Sequence, residues 1–401
     1  MSAEPVRPTS TRALTAAAVL LQEAVDRCAD ALLDSQPPRR VHSSVYEGDA
    51  GTALALAQLA IASERSDLMH AAQLAAAAAL GRLEHVTAPG LLHGRAGVLA
   101  AAATVERLGN ERLTAGRRPS APPAVAGTGA DLASGVAGIL LGQLVTGAGV
   151  VEVTQSVRAL ARMARASDAG FSWASGPLAS GPRGPALSGM AHGASGIAVA
   201  LSETAARHPG LARPAAGLAA EAVRWESEQF DRRRGGWPDR RDRPPTCPVS
   251  WCNGAAGIGA ARLRMLQLAA KGTALDVAAL EADALRAVRA CMLSVGELER
   301  SGWDSRSVAL AGGLGLCHGL GGVLDTLALA TEVWRDDHYL GVAQRAAVAL
   351  VAAWDDEPLG WPGLVPGPLG PSLHLGLAGT ALVLGRLAYP DSGITPATLL
   401  F

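Results

Sequence analysis

The chain is poor in lysine, in aromatic residues and in cysteine, and neither sign of charge is in excess. Lys271 is the only lysine, so the 35 basic side chains are otherwise arginine. With the abundance of Ala, Gly and Pro, that imbalance reads as a GC-rich coding bias rather than a functional signal. Charged residues make up 18% of the chain and the formal net charge is −1. No global basic field exists to attract nucleic acid. Aromatics are only 3%, so the core must be packed by Ala, Leu and Val. Small residues let helices approach closely, which favours helix packed on helix. The five cysteines, Cys28, Cys247, Cys252, Cys291 and Cys317, are too sparse and odd in number for a secreted disulfide framework. No signal peptide is evident. The apolar stretch Ala13 to Gln22 is short, is followed by Glu23, Asp26 and Arg27, and reads as a first helix. The longer uncharged runs, such as Leu132 to Val151, are broken by Gly, Ser, Gln and Thr, which argues against a spanning helix. These features point to the cytoplasm.

What is abundant is hydrophobic residues, at 49%, and glycine, at 47 residues. The first is enough for a large core. The second is organised. Pairs of the form Gly-x-x-Gly fall at Gly48/Gly51, Gly94/Gly97, Gly135/Gly138, Gly193/Gly196, Gly254/Gly257, Gly319/Gly322 and Gly376/Gly379. One such pair carries no weight in a glycine-rich chain, but seven do, since each leads into an Ala/Leu-rich helical segment. Between the pairs lies room for a second helix, as at Ala72 to Leu83 or Asp276 to Leu293. Helix-pair repeats build either an open solenoid or a closed ring. The inserts vary in length, and the first and last copies keep the motif. The pattern therefore predicts an all-α fold, an α/α toroid of seven inner and seven outer helices. Strand patterning is thin: runs such as Val150-Val151-Glu152-Val153 do not alternate. Pro/Gly/Arg-rich stretches at 109–130, 176–187, 231–249 and 356–372 read as loops inside repeat units. Residues 1–401 thus read as a single domain, with 1–40 as a helical lead-in.

Two copies carry more than glycine. Copy five reads Ser250-Trp251-Cys252-Asn253-Gly254, and copy six reads Leu316-Cys317-His318-Gly319. Cys252 and Cys317 each stand two residues before the first glycine. In a ring, equivalent places in adjacent units share one rim. Two Cys and one His, His318, suit Zn²⁺ with a fourth position left open. Two alternatives stand beside this. A closed structural site could be completed by Cys247, or by His374, which holds the cysteine place in copy seven. Buried cysteines can also pack as small hydrophobes. His192 and His93 occupy the place of His318 in copies four and two, and Asp131 stands four places before Gly135 in copy three. His192 could act as acid or base. His93 reads as a hydrogen-bonded loop anchor. Asp131 could serve the chemistry or cap the following helix.

At this point the residues resemble a known family. The Trp-Cys-Asn-Gly, Cys-His-Gly and Gly-Met-Ala-His-Gly blocks, with the seven Gly-x-x-Gly pairs, are similar to the lanthionine synthetase C-like cyclases from about Tyr46 onward. The resemblance implies an α/α toroid with zinc at its mouth. It implies Cys252, Cys317 and His318 as metal ligands, His192 as acid/base, and Asp131 as the aspartate near the metal. Some members have Arg four residues before the first zinc cysteine and Tyr or His just after it. Here those places are Pro248 and Asn253.

The tail looks most like the cyclase domain of bifunctional lanthipeptide synthetases. The large dehydratase region, and a kinase-like Gly-rich loop with its lysine, are not found. The resemblance thus implies a cyclase, stand-alone or working with a separate dehydratase or kinase/lyase protein, and peripheral association with a membrane-bound biosynthetic complex is compatible with it. Its substrate would be a precursor peptide of leader plus dehydrated core, whose cysteine thiols add to dehydroalanine or dehydrobutyrine. Competing expectations are a related enzyme that adds glutathione to dehydroamino acids, and a non-catalytic scaffold that binds leader peptide for a dehydratase or kinase partner.

Overall fold

A computed structural model describes residues 16–35, 42–115, 117–118, 128–176, 184–353, 361 and 370–400. The expected loop segments at 119–127, 177–183, 356–360 and 362–369, and residues 1–15 and 36–40 of the lead-in, lie outside them. The elements in order are α1 (Ala16–Asp34), α2 (Asp49–Ser63), α3 (Ser66–Gly81), α4 (Arg95–Gly109), α5 (Val136–Val145), α6 (Val150–Met163), a small hairpin of β1 (Arg165–Ser167) and β2 (Gly170–Ser172), α7 (Ala194–Arg207), α8 (Ala212–Ser227), α9 (Ala255–Ala270), α10 (Val277–Arg300), α11 (Ser305–Leu310), α12 (Leu320–Trp334), α13 (Asp337–Ala353) and α14 (Leu377–Ala388).

Seven of these begin directly after the first glycine of a repeat: α2, α4, α5, α7, α9, α12 and α14. Each packs on the next, and α14 packs back on α2. The inner ring is closed. Its helices are apolar nearly all round, as in α5 (VAGILLGQLV), which is what burial on every side selects. The outer helices are one-faced. In α6 the buried residues are Val153, Ser156, Val157 and Leu160, a single stripe at helical spacing. The β-branched run at Val150 opens this helix, because burial of that stripe outweighs weak local propensity.

The outer layer consists of α1, α3, α6, α8, α10 and α13. Helix α1 packs against α14 and α13, so the lead-in fills the outer place where the ring closes. No outer helix is found between α4 and α5 among the described residues. The connection there is the shortest between glycine pairs.

The structure gives a steric reason for each glycine. At the first positions φ lies between −107° and −135°, which any residue adopts. What requires glycine there is space. A Cβ on Gly254 would overlap the Pro248 carbonyl of its own loop, and one on Gly376 would overlap that of Gly370. The second glycine faces the neighbouring unit. A Cβ on Gly196 would sit 2.8 Å from Leu132 Cβ, on Gly257 2.9 Å from Met190 Cβ, and on Gly322 2.9 Å from Trp251 Cβ. The same contact recurs around the whole ring, including Gly51 against Leu373 at 2.8 Å where it closes.

Candidate metal centre

The loops before the inner helices are joined by a closed belt of backbone hydrogen bonds. Tyr46 N–H donates to Leu92 O (2.9 Å), Leu92 to Ala133 (2.8 Å), Ala133 to Ala191 (2.9 Å) and Ala191 to Cys252 (3.0 Å). Cys252 then donates to Cys317 (3.2 Å), Cys317 to His374 (3.1 Å), and His374 back to Tyr46 (3.1 Å). Every member stands two residues before the first glycine of its copy. The belt therefore converts a place in the repeat into a place on one rim.

Two adjacent members of the belt are Cys252 and Cys317. Their sulfurs and a ring nitrogen of His318 all lie within 4.8 Å of one another. The thiols are buried, and His318 is exposed at the mouth. Cys317 Sγ is 3.8 Å from His318 Nε2. Ligands at ordinary Zn–S and Zn–N lengths in a tetrahedron stand roughly 3.6 Å apart, so the donor set fits a zinc ion with little adjustment. Among the described residues this is the one cluster of its kind. Cys247 and His374 fall outside it, so neither completes a fourth ligand. His374 is instead wholly buried between Tyr46 (ring centroids 4.9 Å, stacked) and Trp251 (5.0 Å). Burial holds it neutral, with its pKa lowered to about 3.

The two thiols are linked through a shared hydrogen bond. A hydrogen bond from Cys317, with others from His318 and Ser250, favours the Cys252 thiolate. The same pairing, then burial, keeps Cys317 the protonated partner. His318 is raised above its ordinary range by its hydrogen bond to Cys252. Two cysteine sulfurs and an imidazole this close together form a set from which a divalent cation displaces protons. The guanidinium of Arg241 acts on Cys317 and His318 through its charge. It is held by Asp239 through Nη2–Oδ2 at 2.6 Å and Nε–Oδ1 at 3.0 Å. A positive charge thus acts on the site from the 231–249 loop, although the place four residues before Cys252 is Pro248.

Each sulfur also accepts a hydrogen bond from a neighbour. Asn253 Nδ2 donates to Cys252 Sγ at 3.1 Å, and Tyr46 Oη donates to Cys317 Sγ at 3.3 Å. Tyr46 was not among the residues the sequence pointed to. Its signal was present, since it holds the cysteine place in copy one, but a tyrosine there matched no ligand chemistry.

Next to the centre, in copy four, His192 Nδ1 lies 3.2 Å from Asp131 Oδ2. Asp131 Oδ1 accepts from Ser134 N (2.7 Å) and Gly135 N (3.0 Å). The carboxylate thus steadies the start of α5 with one oxygen and faces the imidazole with the other. Both sequence readings of Asp131 are compatible with this geometry. His93 is half-buried against the Tyr46 ring (4.7 Å) and is lowered from its ordinary pKa by burial.

The His192 loop is braced from behind by a buried ion network. Glu226 accepts from Gly189 N (2.8 Å), Ser195 N (3.2 Å) and Ser195 Oγ (2.5 Å). Arg262, fully buried, donates to Glu226 at 2.8 Å and to Asp283 at 3.3 Å. Gly189, at φ +104°, lies so close to Asn253 that a Cβ would overlap its backbone. Copies four and five are therefore locked together beside the cluster of Cys252, Cys317 and His318.

The family model for lanthionine synthetase C-like protein matches residues 40–400. The chain belongs to the lanthionine synthetase C-like family. Among solved structures it is similar to a protein described as nisin cyclase, with a TM-score of 0.57, 14% sequence identity, and coverage of 95% of this chain and 96% of that one. At that identity the likeness concerns the fold, and it agrees with the closed α/α ring. No curated protein sequence matches the chain. Among the described residues of this family member, no helix is long and apolar enough to cross a membrane.

Proposed function

We propose that the protein is a zinc-dependent lanthipeptide cyclase. It would add cysteine thiols of a precursor peptide to dehydroalanine or dehydrobutyrine in the same peptide, forming lanthionine and methyllanthionine thioether rings. The observation that carries this reading is the three-ligand cluster of Cys252, Cys317 and His318, open on the His318 side, with the His192–Asp131 pair one unit away on the same rim.

A zinc ion in that cluster would supply the Lewis acidity that keeps a substrate thiol deprotonated near neutral pH, where a free thiol of pKa about 8.5 is mostly protonated. The remaining work falls to the chain. The rim loops, tied by the belt, hold both reacting segments of one peptide in reach of each other, which is the largest gain available to an intramolecular addition. The sulfur forms a bond to the β-carbon as the carbon–carbon double bond opens. The α-carbon then needs a proton, which His192 delivers from Nε2 while Asp131 holds Nδ1. The thiol proton lost and the α-proton gained balance, so the peptide's mass does not change.

The test uses the purified protein, a dehydrated peptide with free cysteines, and a separate arm with added glutathione. Thiol alkylation and mass spectrometry follow. Loss of alkylatable thiol at constant mass supports ring closure. A gain of one glutathione per dehydrated residue would instead support intermolecular addition. Full alkylation with and without the protein would overturn catalysis and favour a leader-binding scaffold for a separate dehydratase.

A further inference from the structure

We propose that Tyr46 and Asn253 are positioning residues of the metal centre, each donating a hydrogen bond that draws charge from one ligand sulfur. The proposal rests on the zinc reading of the cluster and goes beyond it, since it concerns what sets the strength of that metal as an acid. Two anionic sulfurs push much charge onto a bound cation, which would blunt its ability to deprotonate a third thiol. A donor aimed at each sulfur offsets that push, as groups surrounding metal ligands generally do.

The geometry supports both donors independently. Tyr46 comes from copy one and reaches across the ring closure to copy six, with Oη 3.3 Å from Cys317 Sγ. Its ring is held on one side by His374, at 4.9 Å and 15° between planes, and on the other by His93, at 4.7 Å. Its backbone N–H and C=O are both used by the belt. A phenol fixed at ring and backbone has little freedom to aim its hydroxyl elsewhere. Asn253 is buried, and its Nδ2 sits 3.1 Å from Cys252 Sγ. Its Oδ1 meets no hydrogen-bond partner. The amide is therefore oriented by what Nδ2 does, and turning it over would aim a carbonyl oxygen at an electron-rich sulfur. The place next to Cys252 thus has a job that asparagine performs well.

The test replaces the metal with Co²⁺ in the full chain, without substrate, and reads the sulfur-to-cobalt charge-transfer absorption. Tyr46→Phe keeps the stacked ring and removes only the hydroxyl. Asn253→Leu keeps the volume and removes the amide. Each loss leaves its sulfur easier to oxidise, so the band should move to longer wavelength in either variant and further in the double variant. The visible bands that mark tetrahedral geometry should keep their shape. Apparent zinc affinity at neutral pH, measured by competition with a chromophoric chelator, should fall about tenfold per variant, because a sulfur without its donor holds its proton more tightly. A charge-transfer band unmoved in both variants would overturn this proposal and leave the metal reading intact. A wild-type protein that takes up no cobalt would overturn both. Each variant probes its own sulfur, so one that fails to fold leaves the other to decide.

Discussion

Gly257→Ala and Gly217→Ala are the same chemical change with opposite expected outcomes. Gly257 is the second glycine of copy five. A Cβ there would overlap the carbonyl oxygen of Trp251 and lie 2.9 Å from Met190 Cβ. Ordinary contact is roughly 3.5 Å, and neither neighbour is the free end of a flexible side chain. The backbone must give, by something on the order of 1 Å. Overpacking of this kind costs about 1–3 kcal/mol, and the upper end applies because the Trp251 loop is tied on both sides. Trp251 N–H donates to Cys317 O (3.1 Å), and Trp251 Nε1 donates to Thr398 O (2.7 Å). Metal sites tolerate ligand shifts of only about 0.2 Å, and Cys252 is the next residue. Gly257→Ala should therefore lose both stability and zinc. Gly217 lies exposed within α8, and no atom stands within 4 Å of the place a methyl group would take. Alanine there should add about 0.8–1 kcal/mol of helix propensity and leave zinc unchanged. Urea denaturation and metal analysis by mass spectrometry read both quantities. Equal midpoints and one zinc equivalent in both variants would refute the steric account of the repeat.

Asp131→Asn keeps an acceptor for Ser134 N and Gly135 N but loses the charge facing His192. Folding should change little while ring formation falls about a hundredfold; a rate equal to wild type in the alkylation assay would remove His192–Asp131 from the chemistry. Asp131→Ala loses the loop bond as well, and should cost about 1 kcal/mol more in denaturant. Arg262→Met strands Glu226 and Asp283 in a buried site. Breaking such a network costs about 3–5 kcal/mol, toward the lower end here because Gly189 and Ser195 still donate to Glu226; an unchanged urea midpoint would contradict it. Cys317→Ala should lose zinc, while His192→Ala keeps it, and metal content separates the two directly.

The inner ring was legible because its glycines answer to sterics that no other residue satisfies. Each first glycine precedes a helix, and each second glycine admits the neighbouring unit. The outer layer was less legible, since an outer helix needs only one apolar stripe and a variable insert to carry it. Val150 to Val153 shows this: four residues of strand-favouring composition open α6, because the stripe through Leu160 is decided by packing. That Cys252, Cys317 and His318 come together could be read from residue type and register. Tyr46 and Arg241 could not. Tyrosine and arginine are no zinc ligands, and the 231–249 loop that carries Arg241 has no counterpart in the repeat.

The belt also accounts for where chemistry can be placed in such a ring. Its seven positions are tied through backbone N–H and C=O groups, by bonds that do not depend on which side chain stands there, proline excepted. They hold Tyr46, Leu92, Ala133, Ala191, Cys252, Cys317 and His374, four of which carry polar or reactive groups. The glycines two residues later are fixed by space and cannot vary, whereas the belt's hydrogen bonds can be made by any residue that has a backbone N–H. A substitution there changes the chemistry of the rim while its geometry is held by bonds the substitution does not touch. That separation lets a ring built from seven similar units carry a distinct set of side chains on one side only, as it does with Cys252, Cys317 and His318 in copies five and six.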